Sequence, residues 1–186
     1  MKSTKKLTLA GLFLALGYVL PMLTGQIQVI GQQLLPMHIP VLFCGLICGW
    51  EYGLLVGIIL PVTRSLFFGM PPMYPVALAM AAELGTYGAV AGLLWKKSRY
   101  HCLKWLYISL IGAMLAGRIV WGLAEIVLLG MQGNAFTLSA WLAGAFAGSV
   151  PGIVLQLVLI PVVMVLAGQA KVRQSQLGKT SEKNYF

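Results

Sequence analysis

The sequence predicts an all-α integral membrane protein, a compact bundle of six transmembrane helices with both termini in the cytoplasm. Three observations predict it. Of the 186 residues, 59% are hydrophobic and 9% charged, whereas a soluble domain devotes about a quarter of its residues to charge. The mean hydropathy is +0.88. Six apolar runs follow one another, most of them near the roughly 20 residues that a span requires. The lysines and arginines fall on alternate sides of those runs, as the positive-inside rule demands.

The runs, taken in order, cover roughly residues 7–23, 37–50, 52–68, 76–95, 105–129 and 140–168. The first has a basic start but no small-residue cleavage site, and further spans follow, so it reads as a span rather than a signal peptide. The second is short, with Pro36 and Pro40 on one side and Trp50-Glu51 on the other. Between the third and fourth, Pro71, Pro72 and Pro75 cannot continue a helix and force a turn. Pro151 and Pro161 interrupt the long sixth run, which predicts a kink or a helical extension outside the membrane. No soluble domain is left over. Residues 1–170 form the single transmembrane domain, and the polar stretch 171–186 reads as a cytoplasmic tail that frays.

Lys2, Lys5 and Lys6 precede the first run. Lys96, Lys97, Arg99 and Lys104 separate the fourth from the fifth, and Lys171, Arg173, Lys179 and Lys183 follow the sixth. The connections on the other side, about 24–36, 69–75 and 130–139, contain no Lys or Arg. A five-span arrangement would put two basic clusters on opposite sides. Trp50, Trp95 and Trp105 then lie at the inner interface. The net charge of +9 is thereby a mark of topology and not of a nucleic-acid partner. Cys44, Cys48 and Cys102 give no disulfide framework and no CxxC pair; the first two read as small packing residues.

Set the inner basic clusters aside, and four charged residues lie within or close to spans: Arg64, Glu83, Arg118 and Glu125. Each costs at least about 2.5–3.5 kcal/mol at mid-membrane on insertion scales. The topology places all four in the outer half. Arg118 and Glu125 are seven apart and share a helix face, about 10.5 Å along the axis. Two readings stand side by side: two structural Arg–Glu salt bridges, or a site whose guanidiniums fork onto an anionic or strongly polar ligand. Neutral candidates surround them. Tyr87 is one turn from Glu83, and Trp121 and Gly122 offer a wall and a gap. Ser149 and Gln156 share a face, Asn134 lies in the last outer loop, and the amide-rich stretch 26–33 is placed to act as a lid. His38 reads as an interfacial histidine, since no second metal ligand has suitable spacing. No metal or cofactor is expected.

Catalytic signatures are missing. The chain has no Asp, no HExxH, no GxSxG and no Gly-rich phosphate loop, so it reads as no enzyme and carries no ATP-hydrolysing engine. Small residues recur at four-residue spacing: Gly11/Ala15, Gly53/Gly57, Gly88/Gly92, Ala113/Gly117 and Gly144/Gly148/Gly152. Such spacing lets helix backbones approach closely in lipid, and packing within the bundle is the plain reading of it.

The block LPMHIPVLFCGLICGWEYGLLVGIILPVTRSLFFGMPPMYP, followed by AMAAELGTYGAVAGLL, resembles the substrate-binding S components of energy-coupling factor (ECF) vitamin transporters. The resemblance covers essentially the whole chain and extends to size and span count. It implies a multi-pass protein of the bacterial plasma membrane that binds a micronutrient from outside. It also implies partners: a membrane coupling subunit and two ATP-binding cassette ATPases, which power a toppling that releases the ligand inside. The family's docking pattern on the first helix is Ala-xxx-Ala; here Gly11 and Ala15 provide only a small-residue form of it. Pantothenate is the ligand the resemblance favours, with its carboxylate on Arg64 or Arg118 and its hydroxyls at Glu83. Pyrimidine or pyridine compounds stacked on Trp121 are the other option. Two further classes stand beside this reading, a self-contained carrier or channel and a structural membrane subunit. The two three-span halves show no inverted repeat, the feature that would favour a carrier.

Overall fold

A computed structural model describes residues 3–23, 34–98, 102–133, 137–144 and 149–183, with only the backbone at 138, 140 and 168–183. Helices α1 (Ser3–Leu23), α2 (His38–Cys48), α3 (Trp50–Phe68), α4 (Leu78–Lys97), α5 (Leu103–Met131), α6 (Leu138–Leu142) and α7 (Val150–Lys183) account for nearly all of them. Five segments are long and apolar enough to cross a membrane: Ser3–Met22, Trp50–Phe68, Met73–Lys97, Leu103–Met131 and Val150–Ala167. The outer surface is correspondingly apolar. On α5 the exposed stripe is Ile108, Ile111, Leu115, Ile119, Leu123 and Ile126, while the polar residues Ser109, Arg118 and Glu125 of that helix are buried. Greasy outside and charged inside is the arrangement a lipid solvent selects.

The second expected span is shorter than the others. Helix α2 has 11 residues, a rise of about 16 Å, roughly half the hydrocarbon thickness. Every residue of it except Ile47 is buried, because α1, α3 and α4 pack around it. A half-length helix is tolerable where neighbouring protein, not lipid, surrounds its ends. Its length also matters for the site: α2 stops at Gly49 and returns directly as α3, so its first residue, His38, begins deep within the bundle. Gly49 has φ 108°, a backbone conformation that suits glycine.

Close approach joins α2, α3 and α4. A methyl group on Gly53 would lie 2.6 Å from the Gly88 carbonyl oxygen and 2.7 Å from Gly45 Cα. Lipid tails are as apolar as leucine, so burial alone drives little association here; van der Waals contact at short range does. The Gly53/Gly57 and Gly88/Gly92 pairs therefore pack the bundle internally.

The proline-rich turn is where the sequence puts it. Helix α3 ends at Gly69, φ 69°, and Tyr74 is extended before a wide turn leads into α4. The Tyr74 hydroxyl donates to the Leu128 carbonyl and ties the turn to α5. In the sixth run, α6 covers Leu138–Leu142 and α7 covers Val150–Lys183, and residues 145–148 lie outside the described residues. Pro151 falls in the first turn of α7, where its missing N–H breaks no helical bond. Pro161 lies inside α7. Helix α7 continues to Lys183, so the expected boundary at 170 falls within it.

Candidate functional site

Three helices bring polar side chains together in the bundle interior. Glu83 of α4, Arg118 of α5 and His38 of α2 are each at most 5% exposed. Arg118 Nη1 lies 3.0 Å from Glu83 Oε1, and His38 Nε2 lies 3.5 Å from the same oxygen. The Tyr87 ring meets His38 edge-on at 5.1 Å. Gly117 makes the approach of α5 possible. A Cβ there would stand 2.7 Å from the Tyr87 ring and 3.2 Å from the Glu83 carbonyl oxygen, pushing the neighbouring Arg118 away.

Register explains the convergence. His38 and Gly45 are seven apart and share a face of α2, and Gly45 rests on Gly88 of α4. Glu83 precedes Gly88 by about one and a half turns, so the seam that joins the two helices carries His38 to Glu83. Arg118 is fixed from the other side. The Trp141 indole N–H donates to the Arg118 carbonyl oxygen at 3.1 Å, and the indole crosses Gly122.

The cluster is only partly satisfied within the chain. Among the described residues, both ring nitrogens of His38, Glu83 Oε1, Arg118 Nε and Nη2, and Gln156 Nε2 are buried and make no hydrogen bond. The Arg118–Glu83 contact is thus close in distance but not aligned as a hydrogen bond; the ion pair is real, the bond is not. A buried polar atom left without a partner costs about 1–3 kcal/mol, and such groups in a native interior point to a ligand, ion or water. Glu83 engages one terminal nitrogen of Arg118. The edge formed by Nε and Nη2, which takes both oxygens of a carboxylate, is buried and makes no hydrogen bond among the described residues.

The remaining expected residues divide. Gln156 (1% exposed) is buried on α7 and Ser149 (2%) is buried just before it; α7 packs against α5 and α2. Glu125 is buried but makes no ion pair among the described residues. Trp121 is half-buried and lies against Gly144. Asn134 and the amide-rich stretch 26–33 lie outside the described residues.

Arg64 is buried but belongs to a different seam. Its Nη1 donates to the Tyr18 carbonyl at 3.2 Å, and its guanidinium stands 5.6 Å from the Phe68 ring centroid. Tyr18 and Thr63 share a hydrogen bond beside it. Pro21 in α1 lacks the N–H that would bond the neighbouring Gly17 carbonyl. Of the two Arg–Glu bridges that the purely structural reading requires, the described residues contain one, Arg118–Glu83.

His38 is the residue sequence reasoning missed. Its signal was present: a lone polar side chain in an apolar run, on the same face as Gly45. Gly11 and Ala15 lie on the exposed side of α1, and a Cβ on Gly11 would meet nothing within 4 Å.

A sequence model of the family described as "ECF transporter, substrate-specific component" matches residues 5–164. Comparison with curated proteins and with solved structures gives no match.

Proposed function

Because the chain belongs to the substrate-specific components of ECF transporters, we propose that it captures a small carboxylate vitamin or precursor, pantothenate first, from outside the cell. The ligand's carboxylate takes the Nε–Nη2 edge of Arg118, which makes no hydrogen bond among the described residues. Its hydroxyls meet Glu83 and His38, with Tyr87 as a wall and Gln156 donating to an amide or hydroxyl oxygen. One observation carries this reading: a buried arginine whose fork-accepting edge makes no hydrogen bond among the described residues. The test is calorimetric titration of the purified, detergent-solubilised chain with pantothenate, neutral riboflavin and cationic thiamine. Pantothenate is expected to bind and the other two not; binding of thiamine or riboflavin without pantothenate would overturn the assignment.

The orientation that makes this an importer puts both termini inside and the site in the outer half. In a Cys102→Ser background, Ser139→Cys is expected to react with an impermeant thiol reagent added to sealed cells, and Ser98→Cys is expected to stay unlabelled. Equal labelling of the two sinks the topology.

Delivery follows by toppling against a membrane coupling subunit powered by two ATPases, with α1 as the docking helix. The open surface at Gly11 and Ala15, flanked by exposed Leu7, Leu12, Leu16 and Val19, supports that role. Gly11→Leu or Ala15→Leu is expected to abolish uptake while the isolated chain binds ligand as before. A joint loss of binding and uptake would mean that this face serves the fold.

A further inference from the structure

We infer that Glu125 is the ligand's second anchor and takes the hydroxyl at the end farthest from the carboxylate, so that the site selects its ligand by length. This rests on the reading above that a carboxylate sits at Arg118.

Arg118 and Glu125 share the inward face of α5, about 10.5 Å apart along its axis. They are 5% and 6% exposed, while Ile119 and Leu123 between them face outward. Arg118 reaches across to α4, where its Nη1 meets Glu83. Glu125 is left without a counterpart: among the described residues it makes no hydrogen bond and no ion pair. A carboxyl group so placed has left water without gaining a protein partner, which in a native interior points to a ligand. With or without a proton, it offers at least one oxygen that accepts a hydrogen bond.

The stretch between the two poles is apolar. Gly122 lies there on the same face, and the Trp141 indole covers it, since a Cβ at Gly122 would stand 2.4 Å from Trp141 Cδ1. The indole N–H already donates to the Arg118 carbonyl oxygen. A ligand lying along this face meets a polar group at each end and, on the α5 side, a ring at its middle. Pantothenate has that form. Its terminal hydroxyl oxygen is eight bonds from its carboxylate carbon, about 10 Å when extended. Its secondary hydroxyl is nearer the carboxylate and is the one left for Glu83 and His38. A shorter hydroxy acid anchored at Arg118 stops before Glu125.

The test is titration calorimetry on the full chain with pantothenate and with its analogue in which hydrogen replaces the terminal hydroxyl, for the wild type, Glu125→Met and Glu125→Gln. The wild type is expected to bind the analogue about tenfold to a hundredfold more weakly than pantothenate, the worth of one buried hydrogen bond to a carboxyl group. Glu125→Met keeps the length of the side chain and drops its oxygens. It is expected to bind pantothenate more weakly by the same factor and to lose nothing further with the analogue. Glu125→Gln retains a carbonyl acceptor and is expected to go on preferring pantothenate. Because Glu125 has no partner among the described residues, Glu125→Met is expected to unfold at a temperature no lower than the wild type; a marked fall would reveal a structural partner and overturn the inference. An equal preference for pantothenate in the wild type and Glu125→Met also overturns it, as does a wild type that binds the two ligands alike, and either result leaves the proposed function standing. Absence of pantothenate binding by the wild type overturns both.

Discussion

Replacing Arg118 with glutamine is expected to weaken pantothenate binding by about 2–5 kcal/mol, a factor of roughly 30 to several thousand. The loss has two parts. The carboxylate forfeits a bidentate, charge-assisted partner, and Glu83 is left buried with only His38 at 3.5 Å. The second part also affects the fold, since removing one member of a buried ion pair costs about 3–5 kcal/mol. Glu83→Gln in the same chain separates the two. The double variant is expected to recover most of the thermal stability, because no isolated charge remains, but not the affinity. If the double variant binds pantothenate as tightly as wild type, the pair is a structural bridge and the site lies elsewhere. Titration calorimetry and thermal unfolding of the two single variants and the double decide between these outcomes.

Gly88→Val is expected to have the largest effect on folding. Gly88 presses on the backbone of Gly53 and Gly45, and backbone cannot swing aside as a side chain can. Overpacking of this kind costs about 1–3 kcal/mol where neighbours adjust, and more where they do not; here about 3 kcal/mol or more is expected. The same wedge parts α2 from α4 and so carries His38 away from Glu83. Ligand binding should fail even in the fraction that remains folded. Gly11→Val is the control: with nothing within 4 Å of the added Cβ, its stability is expected to stay within about 0.5 kcal/mol of wild type. Equal destabilisation by the two substitutions would show that the glycine seam is not what holds α2, α3 and α4 together.

Most helices were legible because lipid imposes a simple rule: an apolar run of sufficient length is a helix. Thus α1, α3, α4 and α5 match the apolar runs to within a few residues. The burial of Glu83, Arg118, Glu125, Tyr87 and Gln156 was also legible, since charge and amide groups in such runs have nowhere else to go. What the sequence could not convey was tertiary approach. The sequence marks α2 as short but does not say that it is ringed by protein, so His38 read as an interfacial residue and not as a partner of Glu83. The pairing of arginines was equally hidden: Arg64 and Arg118 look equivalent along the chain, yet one meets a carbonyl of α1 and the other a carboxylate of α4. Pro151 misled for a related reason. A proline in an apolar run reads as a kink, yet it is equally at home in the first turn of a helix, which is where Pro151 sits.

The central claim is that Arg118 and its neighbours hold a small carboxylate inside this bundle. Its most direct test is to purify the chain under mild conditions, denature it and identify the released small molecules by mass spectrometry, with Arg118→Gln prepared in parallel. Wild type is expected to release one carboxylate compound, pantothenate first, near one per chain, and the variant almost none. Equal release from both preparations would contradict the claim, as would a predominant compound with no carboxylate.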